Sequence, residues 1–218
     1  MKNDRLLPTH ILSVLMIALC FFIPHYAGLG IFIYPGVVLL AVWLYLKYIT
    51  RENFNDLFFS FKRFESRSLW IGIIAAILLS LFFNYAWDPL INKIVPGKID
   101  LSDFSGIRNS PVNYMIILVV ALVVGGFYEE IIFHGFIFTR LEKIFKGNRG
   151  RVIAFIITNI IFGCYHFQLG IKGVLLATVA GAAYHGLILR FNRNLWYGVF
   201  FHAFFDFIGL TLIYFGYS

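Results

Sequence analysis

Seven apolar runs, at residues 9–25, 28–48, 69–90, 112–138, 152–170, 173–190 and 195–216, fill most of this 218-residue chain. A run of about 20 apolar residues is long enough to cross a bilayer as a helix. Only helices and closed barrels satisfy their backbone hydrogen bonds there, and runs of this length exceed barrel strands. The pattern therefore predicts an all-α fold: a polytopic membrane bundle of about seven transmembrane helices. Charged residues make up 13% of the chain, about half of the roughly 25% usual in soluble domains. No repeat, linker or second domain interrupts the pattern, so residues 1–218 read as one integral-membrane domain.

Basic residues set the expected topology. With the N-terminus in the cytosol, segments 1–8, 47–68, 139–151 and 190–194 face inward. They hold every lysine and arginine except Lys93, Lys98, Arg108 and Lys172. Positive charge collects on the cytosolic side of membrane proteins, so the net charge of +7 reads as topology and contact with anionic lipid, not nucleic-acid binding. Lys2 and Arg5 precede the first run as in a signal peptide. No A-x-A-like cleavage site follows, so a retained helix is expected. In the cytosolic-side segment 51–68, Phe54, Leu57, Phe58, Phe61 and Phe64 recur at three- and four-residue steps. That spacing predicts an amphipathic helix lying on the membrane surface. Cys20 and Cys164 both fall in apolar segments, which argues against a disulfide framework.

Polar residues inside these runs carry the functional signal. Glu129 and Glu130 stand side by side within 112–138, where each buried charge costs about 2.5–3.5 kcal/mol on the insertion scale. On a helix they point about 100° apart, so one can face a cavity and the other a neighbouring helix. His134 lies four residues after Glu130, the spacing at which helix side chains meet. His166 ends the motif Phe162-Gly-Cys-Tyr-His166, and His202 and Asp206 share a face of the last run. Intramembrane acids and imidazoles mark functional sites. Their natural chemistry is water activated by a carboxylate, with imidazole donors meeting the charge that develops on a carbonyl. The same residues offer a second reading. Glu129, His166 and His202 are acceptable zinc ligands, although no H-E-x-x-H motif is present.

The three motifs Glu129-Glu130-Ile-Ile-Phe-His134, Phe162-x-x-x-His166 and His202-x-x-x-Asp206, one per membrane helix, resemble the CPBP family of intramembrane proteases. That family includes the type II CaaX prenyl endopeptidases and the bacterial Abi proteins. The resemblance covers roughly 112–216. It implies peptide-bond hydrolysis within the membrane, with Glu129 activating water, His166 and His202 around the reacting carbonyl, and Asp206 where the family usually has Asn. Glu130 and His134 support the site, and His134 stands where the family usually has Arg. No cofactor is favoured, with zinc the alternative. The expected partners are a hydrophobic or membrane-anchored peptide and the membrane lipids, with no nucleic acid. The expected location is a prokaryotic cell membrane, with peptide entering through a lateral or cytosolic opening between the fourth and seventh spans. Two other classes compete: an inactive binding or bacteriocin-immunity protein, and a proton-coupled transporter. Of the remaining polar residues, Arg140 reads as a helix-end residue and His185 as a packing residue outside the site.

Overall fold

The computed structural model describes residues 6–217, so Lys2 and Arg5 lie outside the described residues. Seven helical rods follow one another: α1 Leu6–Tyr26, α2 Tyr34–Thr50, α3 Ser66–Ile94, α4 Pro111–Ile144, α5 Gly147–Tyr165, α6 Gly170–Arg190 and α7 Leu195–Phe215. The described residues contain no strand, so the bundle is all-helical as expected. Five rods, α1, α3, α4, α6 and α7, are long and apolar enough to cross a membrane. Helix α2 is shorter, and α5 is less apolar because Arg149, Arg151, Thr158 and Asn159 fall within it. In the middle of α4, Ala121–Ile137 is wound with the wider turns of a π-helix. Such winding is rare, and short stretches of it are frequent at functional sites.

Local chemistry sets the helix ends. Pro111 opens α4, where its missing N–H is no loss, and the Ser110 hydroxyl accepts from the Asn113 amide. The Asn194 side chain caps α7 by accepting from the Trp196 amide. Just before it, Asn192 and Arg193 both adopt positive φ, which reverses the chain between α6 and α7 within a few residues. Helices α3 and α7 approach closely because Gly72 lies against the Phe200 backbone, where a Cβ would stand 2.8 Å from the Phe200 carbonyl carbon. Small residues at such crossings let backbones meet without a void.

The segments assigned to one side of the membrane meet one another. Glu52 pairs with Arg140 at 2.6 Å and also with Lys143. Glu142 holds Arg151 at 2.9 Å and Arg193 at 2.5 Å. Arg63 donates to the Asn192 carbonyl at 2.7 Å, and Asn194 donates back to the Arg63 carbonyl at 2.7 Å. The outer segments meet in the same way: Lys172 donates to Asn92 at 2.5 Å, and the Asp100 amide donates to the Leu169 carbonyl at 3.0 Å. Arg140, near the end of α4 as expected, is thus also a buried ion-pair partner, 1% exposed.

The segment 51–65 differs from expectation. It forms two short 3-10 turns, Phe54–Leu57 and Phe61–Arg63, and not a surface helix. Asn53 and Ser60 cap these turns with their side chains, and Phe58 between them takes φ +64°. Each cap satisfies backbone groups that a continuous helix would have used. Leu57 is fully buried while Phe61 and Phe64 stay exposed, so the strap retains its two-faced character.

Candidate active site

Three helices bring the sequence-marked residues together. α4 supplies Glu129, Glu130 and His134; the end of α5 supplies His166; α7 supplies His202 and Asp206. Glu129, Glu130, His134 and His202 are buried, and His166 and Asp206 half-buried. α5 stops at Tyr165, five residues before the expected end at 170. His166 therefore caps the helix.

Glu130 is the fixed acid. Its Oε2 lies 2.7 Å from His134 Nδ1 and its Oε1 lies 2.9 Å from His202 Nδ1, so one carboxylate takes a hydrogen bond from each ring. The pairing of Glu130 with His134 matches the four-residue spacing read from the sequence. Gly198 makes room for it on α7: a Cβ there would stand 2.5 Å from Glu130 Oε2. Stacking of His202 on Tyr184, with ring centroids 4.5 Å apart, holds the imidazole from its other side.

Glu129 is the free acid. Its buried Oε2 has no hydrogen-bond partner, yet it faces His166 Nε2 at 3.7 Å and His202 Nε2 at 3.9 Å. A water about 2.8 Å from each atom fits that spacing. His166 is oriented by its Nδ1, which donates to the Phe162 carbonyl at 2.9 Å. That bond leaves Nε2 of the neutral ring as an acceptor. His202 differs. Its Nδ1 is committed to Glu130, and its Nε2 faces both Glu129 and Asp206 Oδ2, the latter at 3.6 Å. With a proton on each nitrogen the ring donates from Nε2 as well as from Nδ1. Gly125 forms the wall opposite, where a Cβ would stand 2.5 Å from Asp206 Oδ2 and 3.4 Å from His202 Nε2.

Among the described residues, no group of three His, Cys, Asp or Glu side chains is set to hold a metal ion. The nearest set is Glu129, His166 and His202. Zinc bonds of 2.0–2.1 Å in tetrahedral geometry place donors about 3.3 Å apart. The observed 3.7 and 3.9 Å are wider, so the residues as placed do not close on an ion. Cys164, beside His166 in sequence, is exposed and free, and Cys20 is buried and free.

Two neighbours of the site were missed in the sequence. Asn159 on α5 touches His134 at 3.3 Å and His185 at 3.2 Å, and His185 is fully buried, not merely a packing residue at a helix end. The signal was present: a polar residue inside an apolar run is a functional hypothesis by default. At Gly126 α4 packs tightly on α7: a Cβ there would stand 3.1 Å from Ala203 Cβ.

The class is a polytopic helical bundle, five of whose helices are long and apolar enough to cross a membrane, with a carboxylate set between two imidazoles. Residues 111–208 match the family of type II CAAX prenyl endopeptidases, Rce1-like. The match spans α4 to most of α7, just under half of the chain, and takes in every residue of the candidate site. No curated protein and no solved structure matches the chain.

Proposed function

We propose that this protein is an intramembrane endopeptidase that hydrolyses a peptide bond of a membrane-associated or hydrophobic peptide without a metal ion. The observation that carries the reading is the unpartnered Glu129 Oε2, turned toward His166 Nε2 and His202 Nε2 across a water-sized gap. A buried oxygen without a partner costs about 1–3 kcal/mol, a cost with no structural return unless something polar is met there.

The work divides among the residues by their hydrogen bonds. Water in the gap gives a proton to Glu129 as its oxygen attacks the carbonyl carbon. His166, with Nε2 as an acceptor, orients that water through its second hydrogen. His202, with Nε2 as a donor, meets the oxyanion, since donors aimed at developing charge stabilise the transition state most. Glu130 keeps His202 oriented by accepting from Nδ1, and Asp206 Oδ2 lies 3.6 Å from its Nε2. Collapse of the tetrahedral intermediate breaks the C–N bond, and the proton held on Glu129 passes to the leaving amine. The basic ends of the bundle are assigned to the cytosol of a prokaryotic cell, and the substrate to peptides held in or at the membrane.

The test is a peptide-level proteomic comparison of host cells lacking the gene and expressing either the intact protein or Glu129→Gln at matched levels. Peptide termini present only with the intact protein support the protease and name its substrate. Identical peptidomes, with the phenotype retained by the variant, would sink it and favour a binding role.

A further inference from the structure

His134 makes two contacts through two different nitrogens, and together they fix its chemistry. Nδ1 meets Glu130 Oε2 at 2.7 Å, and Nε2 meets Asn159 Oδ1 at 3.3 Å. A carboxylate and an amide oxygen both accept, so both ring nitrogens must donate. The amide orientation is not free to reverse. Asn159 Nδ2 donates to the Phe155 carbonyl at 2.8 Å, and a flipped amide would set two oxygens against each other there. The second hydrogen of that NH2 group points to His185 Nδ1 at 3.2 Å, which makes His185 a neutral ring protonated at Nε2.

We propose that Asn159, backed by His185, is a positioning residue that holds His134 with both of its N–H groups, so that His134 supplies a fixed positive charge against Glu130. The charge is enclosed. His134 and Glu130 side chains are fully buried, Asn159 is 2% exposed and His185 is 0% exposed. The groups facing His134 are Glu130 on its own helix, Asn159 on α5 and His185 on α6, whose ring centroid is 4.8 Å away. Across Glu130 lies His202 on α7, and beyond His185 lies Arg193. With His185 kept neutral by the amide, the two neighbouring imidazoles do not repel. The consequence for the site passes through Glu130: a carboxylate balanced by His134 holds the His202 ring in register without taking its Nδ1 proton.

The geometry stands by itself, while its catalytic consequence rests on the protease reading, so the experiment reads the two separately. The full chain, labelled with 15N-histidine and held in detergent micelles, is examined by NMR of the imidazole nitrogens across pH, with His134 identified by its loss in His134→Gln. The expected result is that His134 shows two protonated nitrogens at neutral pH. In a folded Asn159→Leu the second N–H signal should be lost. A single-tautomer neutral His134 in the unmodified chain would overturn the proposal, and this arm needs no variant to fold. So would an unchanged pair of N–H signals in a folded Asn159→Leu. In a cleavage assay, Asn159→Leu should lower kcat more than KM, and adding His134→Arg, which carries its charge without help, should restore the rate. No rescue in a doubly substituted protein that folds would overturn the link to catalysis. Absence of cleavage by the unmodified chain would sink the protease reading while the NMR result still decides the role of Asn159.

Discussion

Gly125 on α4 and Asp206 on α7 are fitted to each other so closely that a single methyl group would part them. A Cβ on the glycine would stand 2.5 Å from Asp206 Oδ2, inside the contact distance of any carbon and oxygen, and 3.4 Å from His202 Nε2. Gly125→Ala is therefore expected to push the carboxylate and the imidazole away from Glu129. Misplacement by about 1 Å can cost 100-fold in rate, so cleavage should fall by at least tenfold. Melting of the purified protein in detergent should change far less, because Asp206 is half-buried and can swing outward. Full activity in the variant would show that Asp206 and His202 are not held by this wall.

The two adjacent glutamates should respond in opposite ways to loss of charge. Glu129→Gln removes the group that takes the water proton, yet Glu129 Oε2 has no partner to lose. Activity should vanish while the melting temperature holds or rises. Glu130→Gln breaks a carboxylate shared by two histidines, and removing one partner of a buried charge pair costs about 3–5 kcal/mol. That variant should melt markedly earlier and lose activity as well. Comparing thermal unfolding of the two variants checks the assignment, and equal destabilisation would contradict it.

Metal content separates the two chemistries open to the constellation. The separations of 3.7 and 3.9 Å around Glu129 favour a water held by hydrogen bonds. Elemental analysis of purified protein should find no stoichiometric zinc, and a chelator should leave cleavage unchanged. One zinc per chain, lost together with activity, would overturn the proposed mechanism.

Glu52 gives the loop side of the bundle a pH dependence. Burial alone would raise its carboxyl, but the hydrogen bond from Lys143 and the charge of Arg140 outweigh this and hold it below its ordinary value of 4.5. A depressed carboxyl contributes stability that is fully present above the ordinary value and lost as pH falls through the folded one. Thermal unfolding of the intact protein should weaken as pH drops below about 4.5. Glu52→Gln should be less stable at neutral pH and lose less on acidification. Parallel pH curves for the two proteins would show that the clasp contributes nothing.

Much of this was legible in the sequence, and the failures share a cause. The seven rods follow from apolar length, and the meeting of Glu129, His166 and His202 follows from polar residues that a membrane does not tolerate singly. The contact of Glu130 with His134 was written in a four-residue spacing, which survives the wider winding of α4. The end of α5 was not legible, because Phe167 and Leu169 continue the apolar run past the point where the chain turns. The 51–65 strap was misread because phenylalanine spacing carries no trace of the capping by Asn53 and Ser60. Asn159 and His185 were passed over because their value lies in bonds between helices, and spacing within one run is blind to those. The pairing of Arg140 was not legible for the same reason, its partner Glu52 being 88 positions away in the chain.

Glu130 accepts from one ring on its own helix and from one on α7, which gives it a mechanical role. It works as a latch between two rods that a passing substrate or lipid would otherwise wedge apart. Spreading α4 from α7 draws Glu130 off His202 and frees the ring to turn away from Glu129. Both bonds are made in the structure, so the closed bundle is the arrangement in which the proposed centre is assembled, and helix packing and site geometry are one property.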